Sequence, residues 1–230
     1  MEEKDLKSLN IRTDLVTDII PNVKTNIIEN IYEKDNIKVS NITLDKESAK
    51  LIGKKKGIYT TIFFEDITDK DNYNKVLNIL IKELHKIISK TSLKKDYTSL
   101  IIGLGNIKST PDSLGPRVIE NIIVTKHIYD YYKSLEKGYK ITEAFAPGVK
   151  ATTGIETSDI ISSIIKLEKP DLLIVIDALA SDSIDRVCKT IQITDAGINP
   201  GSGIGNERKE ISYETLNIPV IAIGVPMVVD

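Results

Sequence analysis

A chain of 230 residues with a net charge of −2, one cysteine, two histidines and no tryptophan is long enough for one large α/β domain, or one domain plus an appendage. Its charges are mixed, with no basic stripe interleaved with aromatics, so no direct nucleic-acid partner is expected. Cys188 alone excludes an internal disulfide and fits a reducing compartment. His85 and His127 are too few for a histidine-rich zinc site. The start is charged and has no apolar signal core. No apolar run approaches the ~20 residues that span a bilayer, so the chain reads as cytoplasmic with no membrane partner.

Residues 1–35 are polar and weakly periodic and read as an arm. Residues 37–44 alternate at period two, as a half-buried strand does. Residues 57–64 are β-branched and aromatic and predict a second strand. Across residues 71–90 the spacing of Val76, Leu77, Leu80, Leu84 and Ile87 predicts an amphipathic helix, with His85 at its polar edge. A regular alternation follows. Residues 100–104 are a strand, and 114–135 a helix with Val118, Ile122, Ile123 and Ile128 inward and His127 on its surface. Residues 140–145 are a strand and 155–167 a helix. The run 171–176 is a strand covered on both faces; residues 190–194 and 218–224 are further strands, with Pro219 near the start of the last. This order predicts a three-layer α/β/α fold around a mainly parallel sheet, with added amino-terminal strands.

In such folds ligands sit beyond the carboxyl ends of the strands, which singles out three loops. The first, after residues 100–104, reads Gly-Asn-Ile-Lys-Ser-Thr-Pro-Asp-Ser-Leu-Gly over 105–115 and carries Asp112, with Asn106 as a supporting candidate. Asp112 is either a turn or helix cap, or a carboxylate aimed at the crevice. Asp177 ends the apolar run 172–176, where an acid costs desolvation unless it is paired or hydrogen-bonded. In the loop 146–156, Thr153 and Glu156 have the spacing of a capping box; Glu156 also stands near the crevice. Loop 199–210, rich in glycine beside basic residues, suits an anion or a peptide backbone. Cys188 has no histidine near it in sequence and reads as a core residue rather than a nucleophile. Two carboxylates in one crevice can divide general-base and general-acid roles, or hold a divalent ion. No cofactor is required, and a divalent metal stays open.

Four stretches together resemble the germination protease family of spore-forming bacteria: "IRTDLVTD" at 11–18, "GLGNIKSTPDSLGPRVIENIIVTKHI" at 103–128, "APGVKATTGIETSDII" at 146–161, and the run from Pro170 onward. The resemblance implies a zymogen of an endopeptidase, an atypical acid protease, that degrades small acid-soluble spore proteins during germination. It implies a homotetramer in the forespore and spore core. Its catalytic aspartates fall on Asp112 and Asp177, and processing falls between Asp14 and Leu15. Residues 1–14 would then be a propeptide arm, accessible because it is polar, and 15–230 one protease domain. The fold also resembles that of the hydrogenase-maturation proteases. Family members continue past "GVPMVVD", so a domain shortened at the carboxyl end is expected. Two other readings remain: a metal-dependent maturation protease for another substrate, and a nucleotide- or anion-binding module using Gly103, Gly105 and loop 201–205. Against the module stand Asp112 and the lack of a following Lys-Ser/Thr.

Overall fold

Asp35 and Asn36 both adopt left-handed backbone conformations, with φ of 55° and 65°. That is the geometry of a two-residue turn matched to the twist of a β-hairpin, and it joins β1 (Ile28–Lys34) to β2 (Ile37–Leu44). The computed structural model describes residues 13–22, 27–200 and 209–229. Before the hairpin stands a single helical turn, α1 (Val16–Ile19). After it come α2 (Lys46–Leu51), β3 (Gly57–Phe63) and the long helix α3 (Lys70–Ile88). The second half runs through β4 (Thr98–Gly103), α4 (Leu114–Ile119), α5 (Lys126–Tyr132), β5 (Ile141–Phe145), α6 (Lys150–Thr153) and α7 (Thr157–Glu168). It closes with β6 (Leu172–Ser181), β7 (Thr190–Thr194), α8 (Tyr213–Leu216) and β8 (Val220–Val229).

Among the described residues these strands form one sheet in the order β1-β2-β3-β7-β8-β6-β4-β5. The sheet is mixed, which corrects the expectation of a mainly parallel one. β5, β4, β6 and β8 run parallel, while β1, β2, β3 and β7 pair antiparallel, with β7 joining the halves. β7 enters from a turn, not a helical crossover: Cys188 at its start takes φ 55°, and the antiparallel sense follows. Cys188 is exposed and sits in that turn, so it is not the core residue its sequence context suggested.

Each face of the sheet is covered. On one, Val76, Ile79 and Ile87 of α3 pack on Val39, Ile62, Leu172, Ile193 and Ile221. Ile79 takes the inward place that spacing gave to Leu77, which is exposed. On the other face, Ile161 and Ile165 of α7 pack on Leu100, Ile102, Leu173 and Val175. Farther along that same face Val16 and Ile19 of α1 pack on Ile42, Leu44 and Tyr59. Period-two alternation therefore puts Leu173, Val175 and Asp177 of β6 on the face that carries α7 and α1.

Several local expectations change for identifiable reasons. Residues 1–35 are not uniformly an arm: β1 lies there as the sheet edge, and its exposed pattern hides alternation. The helix expected over 114–135 breaks into α4 and α5. Thr125 is drawn onto β5, its amide donating to the Thr142 carbonyl at 3.0 Å and its Oγ1 accepting from the Thr142 amide at 2.9 Å. Ile123 and Ile128 consequently face solvent. The capping box does not form: Glu156 is the residue before α7 and gives no side-chain cap. Its Oε2 pairs with Lys150 Nζ at 3.2 Å, while Thr153 Oγ1 accepts from the Ile155 amide. His85 and His127 are on the surface side of their helices, as expected. The glycine-rich part of loop 199–210, residues 201–208, lies outside the described residues.

Candidate active site

The site begins with glycines that bring a loop close to a strand end. Gly103 closes β4, and a side chain there would run into the backbone of Gly115 in α4 and approach Ile119 Cγ1 within 2.6 Å. Two glycines thus let α4 lie directly on β4. Gly105 has φ 113°, and a Cβ there would meet the Asp112 backbone and come within 2.9 Å of Asp112 Oδ1. The loop folds back on itself, and the Asn106 amide donates to the Asp112 carbonyl at 2.9 Å and to Asp112 Oδ2 at 3.0 Å. Asn106 supports Asp112 through its main chain; its side-chain oxygen accepts from the Lys108 amide. Asp112 ends the 3-10 turn Thr110–Asp112, which packs against β6 and β8.

Asp177 lies next door. The Leu104 amide donates to the Ile176 carbonyl at 2.8 Å, locking the end of β4 to β6 one residue before Asp177. β6 does not stop there but continues to Ser181, so Asp177 is a strand residue and not the first residue of a loop. It is only 6% exposed, and its Oδ1 accepts from the Ala178 amide at 2.9 Å. The fold therefore carries Asp112 in the turn that follows β4 and Asp177 within the adjacent parallel strand β6, one residue past the Leu104–Ile176 tie. Glu156 stands at the start of α7, paired with Lys150. Among the described residues no group of three or more His, Cys, Asp or Glu side chains is placed to hold a metal. None of their helices is long and apolar enough to cross a membrane.

Sequence reasoning missed a second set of residues. In the registers of β6, β8 and β7, Asp177 stands opposite Gly224, and Gly224 opposite Gln192. Paired residues share a face, so these form one row, with the outer two about 10 Å apart across neighbouring strands. Over that row lies the amino-terminal segment. The Asp14 amide donates to the Ala180 carbonyl at 2.9 Å, and the Ala180 amide donates to Asp14 Oδ2 at 2.8 Å. Lys54 Nζ donates to the Thr13 carbonyl at 2.8 Å and the Asp14 carbonyl at 3.3 Å. Gln192 Nε2 also donates to the Asp14 carbonyl, and Gln192 Oε1 accepts from the Val16 amide. Leu15 and Val16 are fully buried. The Asp14–Leu15 bond is thus held inside the protein, which corrects the expectation of an accessible arm at this point. Burial pulls the Lys54 ammonium below the usual lysine range, opposed by the charges of Asp14 and Asp18. Nothing in the sequence marks Lys54 or Gln192. Lys54 stands in a Lys-Lys-Lys run that normally signals a solvated turn, and Gln192 in a short alternating strand.

The profile of the family described as Germination protease matches residues 7–230. The chain belongs to the germination protease family. Similar members include the germination protease of Bacillus licheniformis, 52% identical over 202 residues, covering 86% of this chain and 55% of that protein. That of Bacillus velezensis is 46% identical over 241 aligned positions, covering 99% of this chain and 66% of that protein. The Priestia megaterium germination protease is 44% identical, covering 100% and 66%. The chain thus spans between about half and two thirds of the length of these germination proteases.

Proposed function

We propose that this chain is the zymogen form of an endopeptidase that opens the degradation of small acid-soluble, DNA-binding spore proteins during germination, using Asp112 and Asp177. The observation that carries the reading is that Asp112, in the turn after β4, and Asp177, within the adjacent parallel strand β6, come from neighbouring strands in a member of the germination protease family. Neighbouring carboxyl groups tend to share one proton, because the first charge opposes the second ionisation. The ionised partner takes a proton from water as its oxygen attacks the peptide carbonyl carbon. The protonated partner gives its proton to the departing amide nitrogen as the C–N bond breaks. Asn106 supports Asp112, and Glu156 stands by as a structural partner of Lys150. Activation is cleavage between Asp14 and Leu15. No cofactor enters this chemistry.

The assembly in this reading is a homotetramer of the forespore and spore core, with β1 to β3 contributing subunit contacts. Support comes from β1, an open sheet edge carrying exposed Ile28 and Ile31, since such edges pair readily. Likeness to the hydrogenase-maturation proteases is part of the same reading, supported by the glycine loop and acid at the end of β4. The test is incubation of the full-length protein with purified small acid-soluble spore proteins, followed by mass spectrometry, with and without a chelator. Asp112→Asn and Asp177→Asn should each remove cleavage of substrate and of the protein's own arm, by about 10²–10⁴ in rate. Retained activity in Asp177→Asn would overturn the carboxylate pair. Loss on chelation with recovery on adding a divalent ion would move the pair to metal binding.

A further inference from the structure

A single hydroxyl separates the Leu15 amide nitrogen from a buried carboxylate. The amide donates to Thr13 Oγ1 at 3.1 Å, and that hydroxyl donates to Asp18 Oδ2 at 2.8 Å. Asp18 is the third residue of α1, and Leu15 is the residue before it. From that place an acidic side chain ordinarily reaches back to the nitrogen of the residue preceding a helix; here Thr13 stands in the path. Asp18 meets Arg186 Nε with Oδ1 at 3.4 Å, and the Asp182 amide lies 3.4 Å from Oδ2. The Asp182 carboxyl and the Lys54 ammonium also feel the Asp18 charge. One residue past Leu15, the Val16 amide donates to Gln192 Oε1 at 3.1 Å. Gln192 belongs to the row that runs through Gly224 to Asp177.

Hydrolysis of the Asp14–Leu15 bond adds one water across it. The water oxygen stays on the carbonyl carbon as the Asp14 α-carboxylate, and the nitrogen leaves with Leu15, taking up the protons to become an ammonium at neutral pH. We propose that this new Leu15 α-ammonium replaces the departing Thr13 hydroxyl on Asp18, and that the ion pair so formed keeps the new amino terminus docked on β7 beside the candidate catalytic carboxylate. The inference rests on the cleavage point of the endopeptidase reading above and deepens it by giving the cut a structural consequence. The oxygen of Asp18 that faces the cut bond is the one Thr13 vacates. A buried acid that loses a donor is left under-satisfied, and a charged donor restores more than a hydroxyl supplied. Leu15 and Val16 are fully buried, so residues 1–14 leave while the chain from Leu15 onward keeps its place.

The test titrates the Leu15 amine by competitive labelling with acetic anhydride across pH, read by mass spectrometry of the amino-terminal peptide. The trimmed protein comes from two sources: full-length chain incubated until its arm is released, and chain 15–230 freed from a ubiquitin fusion by an added hydrolase, which needs no catalysis by this protein. Circular dichroism matched to the full-length chain is the control for folding. The Leu15 amine should titrate about one unit or more above the ordinary α-amino value of about 8, and at neutral pH should acylate about tenfold more slowly than the amine of a chain carrying an extra Gly-Ser-Gly before Leu15. Asp18→Asn, with Lys54 and Arg186 left nearby, should bring the titration to the ordinary value or below it. The extended chain keeps Asp18 and decides the matter should Asp18→Asn not fold. A Leu15 amine that titrates as in the extended chain, or a raised value kept by Asp18→Asn, would overturn the ion pair. A raised value in the fusion-derived chain, together with a full-length chain that cuts neither its own arm nor a spore protein, would leave the ion pair standing and overturn the endopeptidase reading.

Discussion

Asp177 and Gly224 stand opposite one another in the parallel pairing of β6 and β8. A side chain at Gly224 would come within 2.5 Å of Leu179 Cδ1 and Cγ. Gly224→Val should therefore push Leu179 off its rotamer and crowd the row between Asp177 and Gln192. The expected cost is about 1–3 kcal/mol, read as a lower unfolding midpoint, with a loss of peptide cleavage larger than that midpoint shift explains. A variant as stable and active as the parent would show that the space above Gly224 is not used.

Gly105→Ala tests the loop that presents Asp112. At φ 113° an alanine is strained, and its Cβ would meet the Asp112 backbone. Strain of this kind costs about 1–3 kcal/mol, and relieving it requires Asp112 to move. Cleavage should fall nearly as far as in Asp112→Asn while circular dichroism stays native. Full activity would mean that the position of Asp112 is not set by this turn.

The amino-terminal segment should hold more tightly as pH falls. Asp18 is buried, accepts Thr13 Oγ1 at 2.8 Å and lies 3.4 Å from Arg186 Nε. Burial, then a hydrogen bond to Asp18 and its charge, push the Asp182 carboxyl above the usual carboxylate range, opposed by Arg186. An acid whose proton is held more tightly in the folded state contributes stability that is complete below its ordinary range and is lost as pH rises through the elevated value. The opening free energy at Val16, from hydrogen exchange corrected for the base-catalysed intrinsic rate, should thus fall from about pH 4 toward neutrality. Asp182→Asn should flatten that slope; an unchanged slope in the variant would assign it to another group.

Tyr32 ties the edge strand to the long helix. Its hydroxyl donates to Glu83 Oε1 at 2.9 Å, and Glu83 is 1% exposed, with Lys86 Nζ 3.2 Å from its other oxygen. Burial, then the bond to Glu83, raise the Tyr32 hydroxyl to about 12. Tyr32→Phe should cost about 1–3 kcal/mol, measured by chemical denaturation. In the parent this contribution is complete below about pH 10 and is lost as pH climbs through about 12; the variant should lack that alkaline loss.

The sequence by itself determined most of the strands and singled out two candidate acids. Continuous apolar runs marked β4, β6 and β8 because strands covered on both faces need no polar alternation. Asp177 stood out because an acid ending such a run is costly unless it is paired or hydrogen-bonded, and Asp112 because its loop follows the first parallel strand. Only the tertiary structure decided the sense of β7, since direction depends on how a turn is closed and not on the residues of the strand. It alone decided that residues 114–135 break at Thr125, where hydrogen bonds to β5 outweigh helical periodicity. It alone placed Lys54 and Gln192 around Asp14. Lys54 lies 40 positions from Asp14 along the chain and Gln192 lies 178, and no short-range pattern carries a contact made by strand register across a mixed sheet.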